Sequence, residues 1–281
     1  MCLFVSGHSL QYYHTGVSVQ GHGLPLYTSV GYVDGIQITR YGSDTGRFVP
    51  VAPWMQKVED PDYWEEETQN GKRAETVNKH NVRISMYRFN QTEGFHVFQE
   101  MYGCELSDDG STRGYWQYGY DRMDLMALDT ERGVYYPLTE QFKLSALRWN
   151  SPEVRTGERA KDYLETDCIN WLKKYLEYGK EELERRVRPE VKVSSRPSGS
   201  AMKLHCQVYG FHPRDVDVNW MKNGMDYIPS DEAKQVLPNS DGTYQLRVSV
   251  EVTPEKGASY SCHVDHSSLD EPLSVTWGKC H

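Results

Sequence analysis

Along the chain, strand-like alternation gives way to a long polar stretch, and the same order then repeats. LYTSVGYVDGIQITRY, Leu26 to Tyr41, is rich in Tyr, Val, Ile and Thr and carries the turn signal Asp34-Gly35, which predicts strands around a tight turn. EDPDYWEEETQ then reads as a helix start: Asp60 suits the N-cap, Pro61 the first helical position, and acids crowd the first turn. The helix is expected to run towards Tyr87. Its interior holds few aliphatic residues, so it is expected to lie on a surface rather than inside a core.

FHVFQEMYGCEL, STRGYWQYGYD and MDLMALD form the second set of strand-like runs, punctuated by turn signals such as Asp108-Asp109-Gly110. A helical region is predicted from about Thr139 to Arg186, segmented at Pro152. Within it Leu164, Cys168, Trp171, Leu172, Tyr175 and Leu176 recur at helical spacing and make one face. Cys104 falls on a strand and Cys168 on that face, so a disulfide between them would fasten helix to sheet.

The texture changes at RRVRPEVKV, where Pro189 ends the helix. Short alternating runs follow: MKLHCQVYGF, VDVNWMKNG, YQLRVSVEV and SYSCHVDH. Cys206 and Cys262 bracket Trp220, and Tyr260 stands just before the second cysteine. That Cys–Trp–Cys spacing with a tyrosine corner marks an immunoglobulin-like sandwich.

Composition narrows the picture. At 281 residues the chain exceeds the size at which one core stops growing, which predicts two or three domains. The formal net charge of −9 argues against a general affinity for nucleic acid. No apolar run approaches the roughly 18 residues of a membrane helix. The opening MCLF lacks the features of an intact signal peptide, so targeting and anchoring segments are expected to lie outside this sequence. Of the six cysteines, the middle four suggest long-loop disulfides in an oxidising compartment, each worth about 4 kcal/mol in the chain-entropy account. Cys2 and Cys280 could pair with each other, cross-link chains or stay free. Asn90-Gln91-Thr92 is a glycosylation sequon, which places Asn90 at the surface.

The strand–helix, strand–helix, sandwich plan resembles the heavy chain of a class I major histocompatibility molecule, and the wording matches as well. GHSLQYYHTGVS, VGYVDG, APWM, DPDYWEEET, FNQTEG, MYGCEL, RGYWQYGYD, YLETDCINWLKKYLEYGKEELERR, YGFHPRDVDVNW and NSDGTYQLRVSV all look like that family's text. The resemblance covers essentially the whole chain, and the vocabulary is closer to non-mammalian members. It implies an α+β platform, an antiparallel sheet carrying two long helices with a groove between them, followed by an immunoglobulin constant-type domain. The expected divisions are residues 1–94, 95–186 and 187–281. Implied partners are beta-2-microglobulin, a groove ligand, a T-cell receptor and a T-cell co-receptor. The implied location is the cell surface, the sequence ending at Trp277-Gly278-Lys279 before a stalk and membrane helix.

Residue by residue, the resemblance places Tyr12, Tyr63, Tyr163 and Tyr175 around a ligand's amino terminus, with Glu67, Asn70 and Trp171 beside them. Tyrosine hydroxyls on rigid rings can hold an ammonium without burying an unpaired charge. At the other end Ser145, Arg148 and Trp149 are expected to hold a carboxylate. Arg88 stands where mammalian classical chains usually have tyrosine, and is expected to share that task. Leu125 replaces a common aromatic there. The implied floor is His14, Ser29, Phe98, Glu100, Tyr102, Trp116 and Tyr118, bulky enough to shorten the groove or divide it. Glu100 would be costly to desolvate alone, so it is expected to pair with His14, with a ligand cation or with water.

His205, His263 and His266 could suggest a metal, but strand alternation puts the last two on different faces, which favours packing roles and no metal. The acidic run Glu65-Glu66-Glu67 reads as a solvated helix start. No catalytic motif is present, so neither an enzyme nor a cofactor is expected. Three functions remain to be separated: a classical peptide presenter, a non-classical presenter of restricted peptides, lipids or small molecules, and a ligand-free receptor of the same fold. The tyrosines and the carboxylate set favour presentation over the third.

Overall fold

The structure is a computed structural model and describes residues 7–278 apart from His22, Glu59 and Asp231. Cys2 and Cys280 lie outside the described residues. The chain divides into two compact units between Lys180 and Glu181.

The first unit is built on an eight-stranded antiparallel sheet in the order β4-β3-β2-β1-β5-β6-β7-β8. Its strands are β1 (Gly7–Val17), β2 (Tyr27–Val33), β3 (Ile36–Gly42), β4 (Arg47–Pro50), β5 (Val97–Ser107), β6 (Thr112–Tyr120), β7 (Met123–Asp129) and β8 (Val134–Pro137). The Asp34-Gly35 signal closes the β2–β3 hairpin, both residues having positive φ, as a type I′ turn requires. Asp121 and Arg122 do the same between β6 and β7 without a glycine. The Asp121 carboxylate supports that turn, accepting bonds from Val97 N–H at 2.9 Å and pairing with His96 Nδ1 at 2.6 Å.

Helix α1 (Tyr63–Arg88) lies on the first half of the sheet. It begins later than its sequence predicts. Asp60 accepts a bond from the Asp62 N–H, so Pro61 and Asp62 form a turn and the helix starts at Tyr63. Side-chain competition of this kind offers the backbone an alternative to helix. The predicted second helical region is three helices preceded by a 3-10 turn (Glu140–Phe142): α2 (Lys143–Trp149), α3 (Thr156–Glu165) and α4 (Asp167–Leu183). The break around Pro152 is where proline predicts it, and Arg155 enters α3 from a left-handed conformation. A further break at Thr166 was not predicted. Leu164, Cys168, Leu172 and Tyr175 are buried, and Cys104–Cys168 ties α4 to β5.

The second unit packs two four-stranded sheets face to face. Strands β9 (Glu190–Ser198), β10 (Ala201–Phe211), β13 (Val236–Pro238) and β14 (Tyr244–Val252) form one; β11 (Asp217–Lys222), β12 (Asp226–Ile228), β15 (Tyr260–Asp265) and β16 (Leu273–Thr276) form the other. Cys206 of β10 bonds Cys262 of β15 across the layers, and Trp220, fully buried, donates its indole N–H to Val248 O at 3.2 Å. His263 meets the Ser261 and Ser274 hydroxyls, whereas His266 is buried between Ser268 and the Pro213 carbonyl. Among the described residues no helix is long and apolar enough to cross a membrane.

Candidate ligand-binding groove

One face of the first unit's sheet is a floor, with α1 on one side and α2, α3 and α4 on the other. Strand alternation decides which residues point into this space. On β1 these are Tyr12 and His14; on β5, Phe98, Glu100 and Tyr102; on β6, Trp116 and Tyr118. Register places Tyr102 opposite Trp116 and His14 opposite Glu100.

At one end, α1 and α4 meet through a hydrogen bond between the Tyr63 and Tyr175 hydroxyls at 2.6 Å. Trp171, one turn before Tyr175, stacks on it and lies 5.3 Å from the Tyr63 ring. Beneath them is a cavity of about 320 Å3 bordered by Tyr12, Tyr163, Glu67 and Asn70. Burial raises the phenol pKa values of Tyr12, Tyr63, Tyr163 and Tyr175, so all remain neutral and able to donate or accept. Burial also raises the Glu67 carboxyl, against the opposing effect of its 3.1 Å bond from Asn70 Nδ2. A cation placed here would relieve that desolvation. Glu65 and Glu66 are exposed as a solvated first turn should be, but Glu67 leaves that run and borders the cavity.

At the opposite end, Arg88 closes the gap between α1 and α2. Its guanidinium donates to Ser145 Oγ at 2.8 Å and lies 4.6 Å from the centre of the Phe142 ring. Burial lowers its pKa from the usual arginine value, which still leaves it cationic at neutral pH. A cavity of about 490 Å3 opens beside it, with Arg148 and Trp149 on its border and Phe98, Tyr118 and Met126 below. Arg148 is exposed, whereas Trp149 packs edge-on against Tyr118 and Tyr135. Leu125 is fully buried in the core beneath.

Between the two cavities the floor is filled. Trp116 stacks on Tyr102 at 4.2 Å and donates its indole N–H to Glu100 Oε1 at 2.8 Å. The other Glu100 oxygen lies 3.7 Å from His14 Nδ1, which is itself 2.9 Å from the Tyr27 hydroxyl. Burial lowers the His14 pKa despite the attraction of Glu100, so the pair is a neutral imidazole beside a carboxylate rather than an ion pair at neutral pH. Ser29 is buried on the neighbouring strand.

Sequence reasoning missed Asp167, Gly71 and Ala74 at the first cavity, and Phe142, Met126 and Asn81 at the second. Helical spacing from Glu67 would have found Gly71, Ala74, Asn81 and Arg88 on one face. Asn90 is exposed, in a left-handed conformation immediately after α1, two residues beyond Arg88. In the stretch Tyr227 to Lys234, Glu232 pairs with Lys203 and Lys234 with Asn219, while Asp231 lies outside the described residues. Among the described residues no group of three or more His, Cys, Asp or Glu is placed to hold a metal.

Residues 6–183 match the family model described as class I histocompatibility antigen, domains alpha 1 and 2, and residues 187–269 match the immunoglobulin C1-set domain. A chicken (Gallus gallus) protein, the class I histocompatibility antigen F10 alpha chain, is 37% identical, aligned over 96% of this chain and 78% of its own length. A rat (Rattus norvegicus) class I histocompatibility antigen, the Non-RT1.A alpha-1 chain, is 40% identical over 98% of this chain and 86% of its own. Cattle (Bos taurus) major histocompatibility complex class I-related protein 1 is 37% identical over 93% and 78% respectively. With both domain types matched and the groove assembled as described, this chain belongs to the class I histocompatibility antigen family of non-enzymatic, antigen-presenting molecules.

Proposed function

We propose that this chain holds a short peptide by its two free ends and displays it at a cell surface to T-cell receptors, with beta-2-microglobulin as its partner. The observation that carries the reading is the pair of closures. Tyr63–Tyr175 bounds a neutral phenol cluster with Glu67 beside it, and Arg88–Ser145 bounds a cationic end. In this reading the peptide ammonium lies among Tyr12, Tyr63, Tyr163 and Tyr175, with Glu67, Asn70 and Trp171 at its side. Its carboxylate takes charge-assisted bonds from Arg88 and Arg148 and a hydroxyl bond from Ser145, with Trp149 covering the last residue. Asn90 carries the glycan, outside the groove.

The test is to refold the chain with beta-2-microglobulin, with and without a random nonamer pool, and to sequence what is eluted. Complexes that require and release nonamers support the reading; a folded complex with no eluted peptide overturns it. A second reading, presentation of small molecules, is favoured by one observation: each cavity, about 320 and 490 Å3, has the volume and aromatic lining of a small-molecule site. Apolar small molecules in the same eluate would select it.

A further inference from the structure

Resting on the peptide reading, we infer that Asn150, a residue outside the groove, is the positioning residue for the carboxylate end: its side-chain amide pins helix α2 to the edge strand β8 and so sets where Arg148 and Trp149 meet the ligand. The amide makes two bonds to one backbone unit. Its Oδ1 accepts from the Tyr135 N–H at 2.8 Å, and its Nδ2 donates to the Tyr135 carbonyl at 2.7 Å. Strand β8 ends the sheet and pairs only with β7, so Tyr135 would otherwise turn both groups to an open edge. Asn150 takes the place that a ninth strand would have held.

Helix α2 needs such an anchor. It has seven residues, too few to hold a helix in water by themselves. Phe142 at its N-cap makes no side-chain capping bond, a 3-10 turn precedes it, and the chain turns at Pro152 soon after it. Of the seven residues Ala146 is buried, while Leu144 and Leu147 lie exposed. Yet Ser145, Arg148 and Trp149 all stand on this helix, so one displacement moves all three. Trp149 and Asn150 grip the same residue: the Trp149 ring meets the Tyr135 ring edge-on at 5.1 Å, and the Asn150 amide holds the Tyr135 backbone. Tyr135 is 2% exposed and fixed in the sheet core, which makes it a firm reference point for the helix. An arginine can serve a carboxylate through its planar fork only from the right distance and angle, so the pin acts on the ligand through Arg148.

The experiment uses the chain refolded with beta-2-microglobulin and a polyalanine nonamer ending in leucine, as the free acid or the carboxamide, in competition binding. The wild type should prefer the acid by about tenfold or more. Asn150→Ala should cut that preference to about threefold or less, and Asn150→Asp should do the same, because it sets a carboxylate oxygen against the Tyr135 carbonyl. Leu147→Ala, on the exposed side of the same helix, should keep the wild-type preference. A merely structural role for Asn150 would weaken acid and amide equally. A folded Asn150→Ala or Asn150→Asp chain that retains the full preference therefore overturns the inference, and so does loss of the preference in Leu147→Ala. A second measurement needs no variant. Coupling is reciprocal, so a seated carboxylate must tighten the pin in turn. Amide exchange at Tyr135 in the saturated wild-type complex should be at least about threefold slower with the acid than with the amide, and equal rates overturn the inference even if neither variant folds. A wild type that binds no nonamer, or binds acid and amide alike, removes the peptide reading and the inference with it, and shows this before any variant is made.

Discussion

Arg88 shows how much a single side chain's setting matters. In sequence it is one cation near a sequon; in the structure it spans from the last turn of α1 to Ser145. Arg88→Ala should weaken free-acid peptides by about tenfold or more, as loss of a charge-assisted bond implies, and leave carboxy-amidated peptides nearly unchanged. Competition binding with the two peptide forms checks this. Tyr175→Phe is the counterpart at the other end: ligands with a free amino terminus should weaken by about tenfold while acetylated ones hold, and equal loss for both would contradict the amino-terminal assignment. His14 carries a pH consequence. Burial depresses its pKa, so the unfolded chain takes up the proton first and stability falls as pH drops below about 6.5. His96 has the opposite sign, because its bond to Asp121 raises its pKa; its contribution is fully present below about 6.5 and is lost as pH rises through its folded value. Melting curves of His14→Gln and His96→Gln between about pH 5 and 8 should therefore diverge, the first losing stability less steeply on the acid side and the second on the alkaline side.

At the scale of elements, legibility followed the origin of each signal. The hairpins at Asp34-Gly35 and Asp108-Asp109-Gly110 were readable because the turn chemistry is local. The short strands Arg47–Pro50, Val134–Pro137, Asp226–Ile228 and Val236–Pro238 were not, since three or four residues have no periodicity of their own and exist by pairing with a neighbour. Helix α1 was placed within a few residues, but its buried face was hidden. Thr68, Gly71, Asn78 and Ser85 occupy it, so it lacks the apolar stripe that marks most surface helices. The same composition lets α1 come close to the sheet. Gly16→Ala should push Asn78 away and destabilise the fold by about 1–3 kcal/mol, the usual cost of overfilling a packed site, as measured by denaturant unfolding. The resemblance placed Tyr63, Glu67, Asn70 and Arg88 of α1 at the groove, but Gly71, Ala74 and Asn81 were not legible, because the helix's polar text gives no indication of which face looks into the groove.

For the whole molecule, separate cores and separate disulfides predict separable effects. Removing Cys206–Cys262 through a double alanine substitution should destabilise the second unit by about 2–5 kcal/mol while leaving peptide affinity in intact complexes unchanged. Calorimetry and peptide binding on one preparation check both halves of that statement. The sandwich was legible from four residues, Cys206, Trp220, Tyr260 and Cys262, since few folds need that set at that spacing. The groove and the bulk of its floor were legible as a resemblance, but the Trp116–Glu100 bond was not, because it joins residues on adjacent strands and depends on register. The opposite charges at the two ends of the groove have a last consequence, which is direction. In the proposed peptide reading, a free-ended peptide of any sequence brings its ammonium to Glu67 and its carboxylate to Arg88 in only one of its two orientations. Orientation is settled by the backbone termini before any side chain is read. In that reading a receptor approaching from outside would meet every displayed sequence from the same end, and its own contacts could be fixed in place rather than adapted to both polarities.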